Sequence, residues 1–181
     1  MQELVELAKQ GDRDAFAALA TRTVDRLYAI AFGILRDGER AQDAVQNALL
    51  KCWQQMPSLR DPSRFDGWLH RLLVSSCYDE ARVHRRLQRP LRIHSGEPIE
   101  PDSAGLLADR DQLERAFRRL SPEQRAVVVL HHYLGLELQE IAATLDIPVG
   151  TARSRLHYAL RALRAAIQAD SRVRVTGDRT A

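Results

Sequence analysis

Between Val149 and Ile167 the side chains separate by angle. At about 100° per residue from Thr151, the apolar residues Ala152, Leu156, Ala159, Leu160, Leu163, Ala166 and Ile167 fall between about 60° and 180°. Arg153, Ser154, His157, Tyr158, Arg161 and Arg164 fall between about 200° and 340° on the same count. Thr151 and Arg155 lie at the rim. This pattern predicts a long helix with one wholly apolar face that must be packed against other helices. The opposite face carries arginine and no acid, whereas a merely solvated helix usually mixes signs. An ordinary surface helix of an all-α domain remains the alternative reading.

What precedes this helix narrows the choice. Leu138, Ile141, Ala142 and Leu145 recur at helical spacing, Asp146-Ile147-Pro148 makes a tight turn, and the long helix begins near Val149. A short helix, a tight turn and a second helix form a helix-turn-helix, in which the start of the second helix enters the DNA major groove. Thr151, Arg153, Ser154 and His157 would face base edges, and Arg155, Arg161 and Arg164 would sit on phosphates. Upstream, Ser121-Pro122-Glu123-Gln124 opens another helix, with Ser121 at the N-cap, Pro122 at the first helical position and Gln124 completing a capping box. Gly135 breaks it.

Residues 1–88 read as a separate helical unit. Asp12 or Asp14 caps a helix whose apolar positions include Phe16, Leu19, Leu27, Ile30, Ala31 and Ile34, and Arg36-Asp37-Gly38 ends it. A second helix runs from about Glu39 to Met56, stopped by Pro57, and a third from about Phe65 to Leu87. Ser58–Arg64 is a loop. Residues 89–109, with three prolines and scattered acids, predict a flexible linker that reaches about 70 Å at full stretch. The second domain covers 110–169, and 170–181 is a polar, frayed tail. The fold class expected is all-α: two small helical domains on a tether.

Charge follows this division. Residues 1–92 carry 15 basic and 12 acidic side chains, 93–112 carry one arginine against five acids, and 113–181 carry 11 basic and 7 acidic. Two basic blocks thus flank an acidic joint. Arginine supplies 25 of the 27 basic residues, and its fork matches phosphates and guanine edges, although a GC-rich genome also inflates arginine. No apolar run approaches 18 residues, so no membrane insertion is expected. The N-terminus lacks a basic region ahead of an apolar stretch, and Cys52 and Cys77 form neither a CxxC pair nor a metal spacing, so a reducing cytoplasm is the default. His131-His132 has no further ligand at a metal spacing. No Gly-rich phosphate loop, G-x-S-x-G or paired acids occur, so we expect no metal, no cofactor and no catalytic activity of the chain's own.

The segment Leu136–His157, above all Ile147-Pro148-Val149-Gly150-Thr151 followed by Arg153-Ser154-Arg155-Leu156-His157, resembles the promoter-recognition segment of extracytoplasmic-function (group 4) sigma factors of bacterial RNA polymerase. Asp146 stands where the family typically has glycine. Independently, Ala41-Gln42-Asp43-Ala44-Val45-Gln46-Asn47-Ala48-Leu49-Leu50-Lys51-Cys52-Trp53 resembles the family's helix that docks on the clamp of the polymerase largest subunit, with Asn47 where an acid is usual. Phe65-Asp66-Gly67-Trp68-Leu69, Asp79-Glu80-Ala81-Arg82 and Arg85-Arg86 resemble the helix that meets the −10 element, with Ser75 where asparagine is frequent.

The resemblance implies a division of labour. Val149, Gly150, Thr151, Arg153, Ser154, Arg155, His157, Arg161 and Arg164 would serve the −35 element. Asp43, Gln46, Asn47, Lys51 and Gln54 would bind core polymerase. Arg60, Arg64, Phe65, Trp68, Ser75, Tyr78, Asp79, Arg82, Arg85 and Arg86 would melt and hold the −10 element: the aromatics as stacking surface for an extruded base, the arginines as charge. Core packing is the competing reading for Phe65 and Trp68, and a solvated helix end for Arg82, Arg85 and Arg86. The family also implies an anti-sigma factor as a partner, and we expect a monomer when free. A stand-alone helix-turn-helix regulator and a helical adaptor that binds no DNA are the other readings.

Overall fold

The computed structural model describes the backbone of residues 1–88 and 106–177 and the side chains of 1–87 and 112–168. Its elements are α1 (Gln2–Lys9), α2 (Arg13–Leu35), α3 (Gly38–Gln55), α4 (Phe65–Gln88), α5 (Leu106–Arg118), α6 (Pro122–His132), α7 (Leu138–Leu145) and α8 (Val149–Gly177). Single 3-10 turns at Met56–Ser58 and Pro62–Arg64 punctuate the connection from α3 to α4. The chain is all-α, in two helical regions.

Local chemistry sets the boundaries. The Asp12 carboxylate accepts from Asp14 N and Ala15 N, both at 2.9 Å, which fixes it as the cap of α2. Asp37 accepts from Arg40 N at 3.0 Å and caps α3, and this bond holds its carboxyl below the usual range. At α6 the capping box is complete: Gln124 N donates to Ser121 Oγ at 3.3 Å and Ser121 N to Gln124 Oε1 at 3.0 Å. Two boundaries differ from expectation. Helix α5 begins at Leu106, inside the stretch assigned to the linker, and α8 stays helical to Gly177, inside the stretch assigned to a frayed tail. The other linker positions, 89–105, lie outside the described residues.

The larger difference is in packing. The sequence reads as two separate helical domains on a tether. Instead Leu19, Leu27, Ile30 and Ile34 of α2 and Leu69 and Leu73 of α4 share one apolar cluster with Val127, Val129, Leu130, Ile141 and Ala152. Helix α6 packs on α2 and α4, and α7 packs on α4. A smaller cluster of Ala116, Leu120, Val128, Ala159, Leu163 and Ala166 holds α5, α6 and α8 together. The reason is the run Ala126-Val127-Val128-Val129-Leu130, buried throughout. A helix apolar on all sides needs neighbours on all sides, and α8 and α7 cover only part of α6.

Polar contacts reinforce this union. Arg36 Nε donates to Glu114 Oε1 at 3.0 Å across the two regions, and the Arg36 guanidinium lies 5.0 Å from the Phe32 ring centroid and 5.5 Å from that of Phe117. An Arg71 Nη group donates to the Ala143 carbonyl in α7. Glycine is required at position 33, where a Cβ would stand 2.8 Å from Val129 Cγ2. Cys52 and Cys77 are free and buried, and burial pushes both thiols up to about 12, so neither is a thiolate at neutral pH.

Candidate nucleic-acid interface

The recognition surface is built from the turn outward. Glu137 N donates to Glu140 Oε2 at 2.8 Å and starts α7. Asp146 ends it in the left-handed conformation (φ 53°, ψ 51°), which aspartate tolerates better than most residues. Ile147 N returns to the Ala142 carbonyl at 3.1 Å, and the Pro148 carbonyl accepts from Thr151 N at 2.9 Å and Ala152 N at 3.1 Å, which launches α8. Ala152 and Ala159 are fully buried, while Arg153, Ser154, His157, Arg161 and Arg164 are exposed, as is the first turn at Val149 and Gly150. Ser154 Oγ donates to the Thr151 carbonyl at 3.0 Å, so its lone pairs point outward as acceptors. Thr151 is half-buried.

Arg155 takes a different direction. It is half-buried and lies near Tyr78 and Glu123, so it faces the N-terminal helices, not an outer phosphate track. Burial raises the Glu123 carboxyl, but its bond with Ser121, its backbone bond, Arg85 and Arg155 outweigh this and hold it low.

A second surface spans the α3–α4 connection and α4. Asp61 organises the loop: Ser63 Oγ donates to it at 2.6 Å and Ser63 N at 2.9 Å, and Arg64 approaches at 3.4 Å. Arg60 and Arg64 are exposed, and Trp68 is half-buried. These three, with Arg26, His70 and Arg71, line a cleft of about 1230 Å³ whose far wall is Leu136, Glu140, Ala143 and Thr144 of the C-terminal region. Phe65, expected as stacking surface, is 2% exposed and belongs to the core; its ring centroid lies 6.2 Å from that of Trp68. A base has no access to it.

Farther along α4, Ser75 and Asp79 are exposed, and Tyr78 is half-buried with its hydroxyl enclosed and without a hydrogen-bond partner. Burial raises the Tyr78 pKa. Ser75, Tyr78, Asp79 and Arg82 face Thr144, Leu145 and Asp146 across a small cavity, so the end of α7 overlies the face expected to meet DNA. Asp79 accepts from Lys51 Nζ at 3.2 Å and lies 3.7 Å from Arg82, so this carboxylate positions cations and presents no charge that would favour a phosphate. Arg82, Arg85 and Arg86 are exposed at the end of α4.

On α3, Asp43, Gln46, Asn47 and Gln54 are exposed around Leu50, itself 55% exposed. Asn47 Nδ2 donates to Glu80 Oε1 at 3.2 Å, and Lys51 Nζ to Ser76 Oγ at 3.2 Å, so these two residues also knit α3 to α4. Sequence reasoning missed Arg26, His70 and Arg71. Arg71 stands three residues after Trp68, hence on its helical face, and that spacing was the available signal. His70 is buried; desolvation, then Arg26, lowers its pKa below the ordinary 6.5, while Asp66 opposes. The unfolded chain therefore takes up this proton first. The His70 contribution to stability is complete above about pH 6.5 and is lost as pH falls below it. Urea unfolding between about pH 7.5 and 5.5 should show this slope, flattened in His70→Gln.

The model of sigma-70 region 2 matches residues 19–87 and that of sigma-70 region 4 matches residues 110–163. The ECF RNA polymerase sigma factor SigL of Mycobacterium tuberculosis is 36% identical over 146 residues, spanning 78% of this chain and 82% of that one. The chain belongs to the ECF RNA polymerase sigma factors. The RNA polymerase sigma-H factor of Pseudomonas aeruginosa is 29% identical and spans 92% of this chain and 93% of its own. Among solved structures, the sigma factor RpoE of Bartonella quintana, crystallised with the anti-sigma factor NepR, matches at a TM-score of 0.68 and 25% identity over 86% of this chain and 98% of that one. CnrH in complex with the cytosolic domain of CnrY matches at 0.66 and 25% over 93% and 97%.

Helices α2–α4 are therefore the sigma region 2 and α5–α8 the region 4. ECF sigma factors are transcription-initiation factors, and the family assignment carries no enzymatic activity. No helix among the described residues is long and apolar enough to cross a membrane.

Proposed function

We propose that this sigma factor brings core RNA polymerase to promoters by using its three surfaces on three targets. Helix α8 reads the −35 element: Arg153, Ser154 and His157, with the first turn at Val149, Gly150 and Thr151, lie along base edges, and Arg161 and Arg164 lie on phosphates. The exposed face of α3 (Asp43, Gln46, Asn47, Gln54) docks on the clamp of the polymerase largest subunit. Arg60, Arg64 and Trp68, with Arg82, Arg85 and Arg86, hold the opened −10 strand. An anti-sigma factor, as in the RpoE complex with NepR, is the expected partner of the free chain.

The observation that carries this reading is the sorting of α8, with Arg153, His157, Arg161 and Arg164 exposed and Ala152, Ala159, Leu163 and Ala166 buried. The overlap of α7 with the α4 surface supports a further element. Region 4 must leave region 2 before Ser75, Tyr78 and Arg82 can meet DNA, and polymerase binding supplies the energy for that separation. Arg155 and Tyr78 then gain access to promoter DNA.

The deciding experiment is transcription in vitro from a promoter library by core polymerase with this chain. New start sites sharing −35 and −10 elements are expected. Tight duplex binding by the free chain with no new start sites would instead favour a stand-alone regulator. Within this scheme Arg161→Ala weakens binding to every sequence alike and lowers the salt slope by about 1. An unchanged slope in a titration from low to high salt removes Arg161 from the phosphate set.

A further inference from the structure

A second cleft lies between the two regions, away from the promoter surfaces of α8. It is about 400 Å³, and Arg36, Arg40, His84 and Arg85 from region 2 meet Arg118 and Arg125 from region 4 around it. The remaining lining is apolar (Leu35, Ala81 and Pro122), so among the described residues no acid lines the cavity. Nearby carboxylates compensate the charge only in part. Glu114 is shared by Arg36 and Arg118, the latter at 3.2 Å, Asp37 lies 3.1 Å from Arg40, and Glu123 lies close to Arg85. Among the described residues, five guanidinium groups thus stand against these three acids.

Arg125 is the centre of this imbalance. Its Nε is enclosed and has no hydrogen-bond partner. Burial, then the repulsion of Arg36 and Arg40, lowers its pKa to about 10. An anion in the cleft offsets the mutual repulsion of the guanidinium groups that line it. Guanidinium forks converging from several directions match the oxygens of phosphoryl groups. At about 30 Å³ per water, the cavity holds on the order of a dozen waters, room for more than one phosphoryl group. It offers no aromatic platform for a base apart from His84.

We propose that this arginine cleft binds a phosphate-bearing anion carrying two or more phosphoryl groups, recognised through its phosphates and not through a base. Because the arginines come from both regions, the bound anion clamps region 4 onto region 2 and favours the closed arrangement in which α7 covers α4. This goes beyond promoter recognition and is tested on the free chain without polymerase, so its failure leaves the promoter reading standing.

The probe is inorganic tripolyphosphate, titrated into the full chain by calorimetry and thermal shift at constant ionic strength. One saturable site and a raised melting temperature are expected. ATP should bind comparably and adenosine not at all. Arg125→Gln and Arg40→Gln should each weaken binding about tenfold. Arg118→Gln, whose side chain is 61% exposed and therefore replaceable without loss of packing, should do the same. Gly33→Ala, which presses the two regions apart, should weaken binding as well. The proposal is overturned if chloride at equal ionic strength reproduces the melting shift, or if the three arginine variants bind as the parent does. It is equally overturned if binding disappears only in Arg153→Ala, which would place the anion on α8, or if adenosine binds as ATP does.

Discussion

Replacing Arg153 and His157 together with alanine should cost the −35 interaction about 2 kcal/mol or more, at roughly 1–3 kcal/mol for each base-edge contact. Every 1.4 kcal/mol is tenfold, so discrimination between a cognate −35 duplex and a scrambled one falls by roughly 30-fold at least. Transcription by the reconstituted holoenzyme from a −35-dependent promoter should fall in parallel. The loss is specific because both side chains are exposed on α8 while the helix is held by Ala152, Ala159 and Leu163 beneath them. Exposed positions away from caps and packing typically change stability by no more than about 0.5 kcal/mol, so the melting temperature should stay put. The comparison with Arg161→Ala separates reading from gripping. The double variant should reduce sequence preference and leave most of the salt dependence, whereas Arg161→Ala should leave the preference and lower the salt slope by about 1. Preserved preference in the double variant would place the −35 readout elsewhere on region 4.

Much of this surface is legible in the sequence because it depends on local rules. The angular sorting of α8, the aspartate caps of α2 and α3, the Ser121–Gln124 box and the left-handed Asp146 all involve residues within a few positions of one another. Their outcomes need no knowledge of the distant chain. The docking of region 4 on region 2 is of another kind. Arg36 and Glu114 are 78 positions apart, and Arg71 and Ala143 are 72 apart, so no periodicity connects them. One local signal was present and went unread: five consecutive apolar residues from Ala126 to Leu130 leave no polar face for solvent. A helix of this kind has to share a core with neighbours on every side. From that omission follow the misplaced directions of Arg155 and Tyr78, which sit at the seam between the regions. Phe65 failed for a simpler reason. An aromatic at a helix start serves a core and a stacking platform equally well by pattern, and only burial decides between them.

The seam has one point at which a single methyl group tests it. Gly33→Ala brings two opposed effects. Alanine in place of a mid-helix glycine favours α2 by about 0.5–1 kcal/mol. The added Cβ, however, meets Val129 Cγ2 at 2.8 Å, closer than carbon atoms tolerate. Valine is β-branched and held in one rotamer within a helix, so it cannot swing aside, and α6 must retreat. Overpacking of this kind costs about 1–3 kcal/mol, so the packing loss exceeds the propensity gain and the closed arrangement weakens by about 1–2 kcal/mol. Because α2 itself is strengthened, the expected signature is unchanged helicity by circular dichroism with a larger radius of gyration in solution scattering. Val129→Ala removes the atom in the way. The pair should therefore couple by at least about 0.5 kcal/mol in a double-mutant cycle, with Gly33→Ala turning stabilising once position 129 is small. A Gly33→Ala chain that stayed as compact as the parent and melted higher would mean that α6 yields without cost, and that the contact between the regions is looser than the buried Val127, Val129 and Leu130 require.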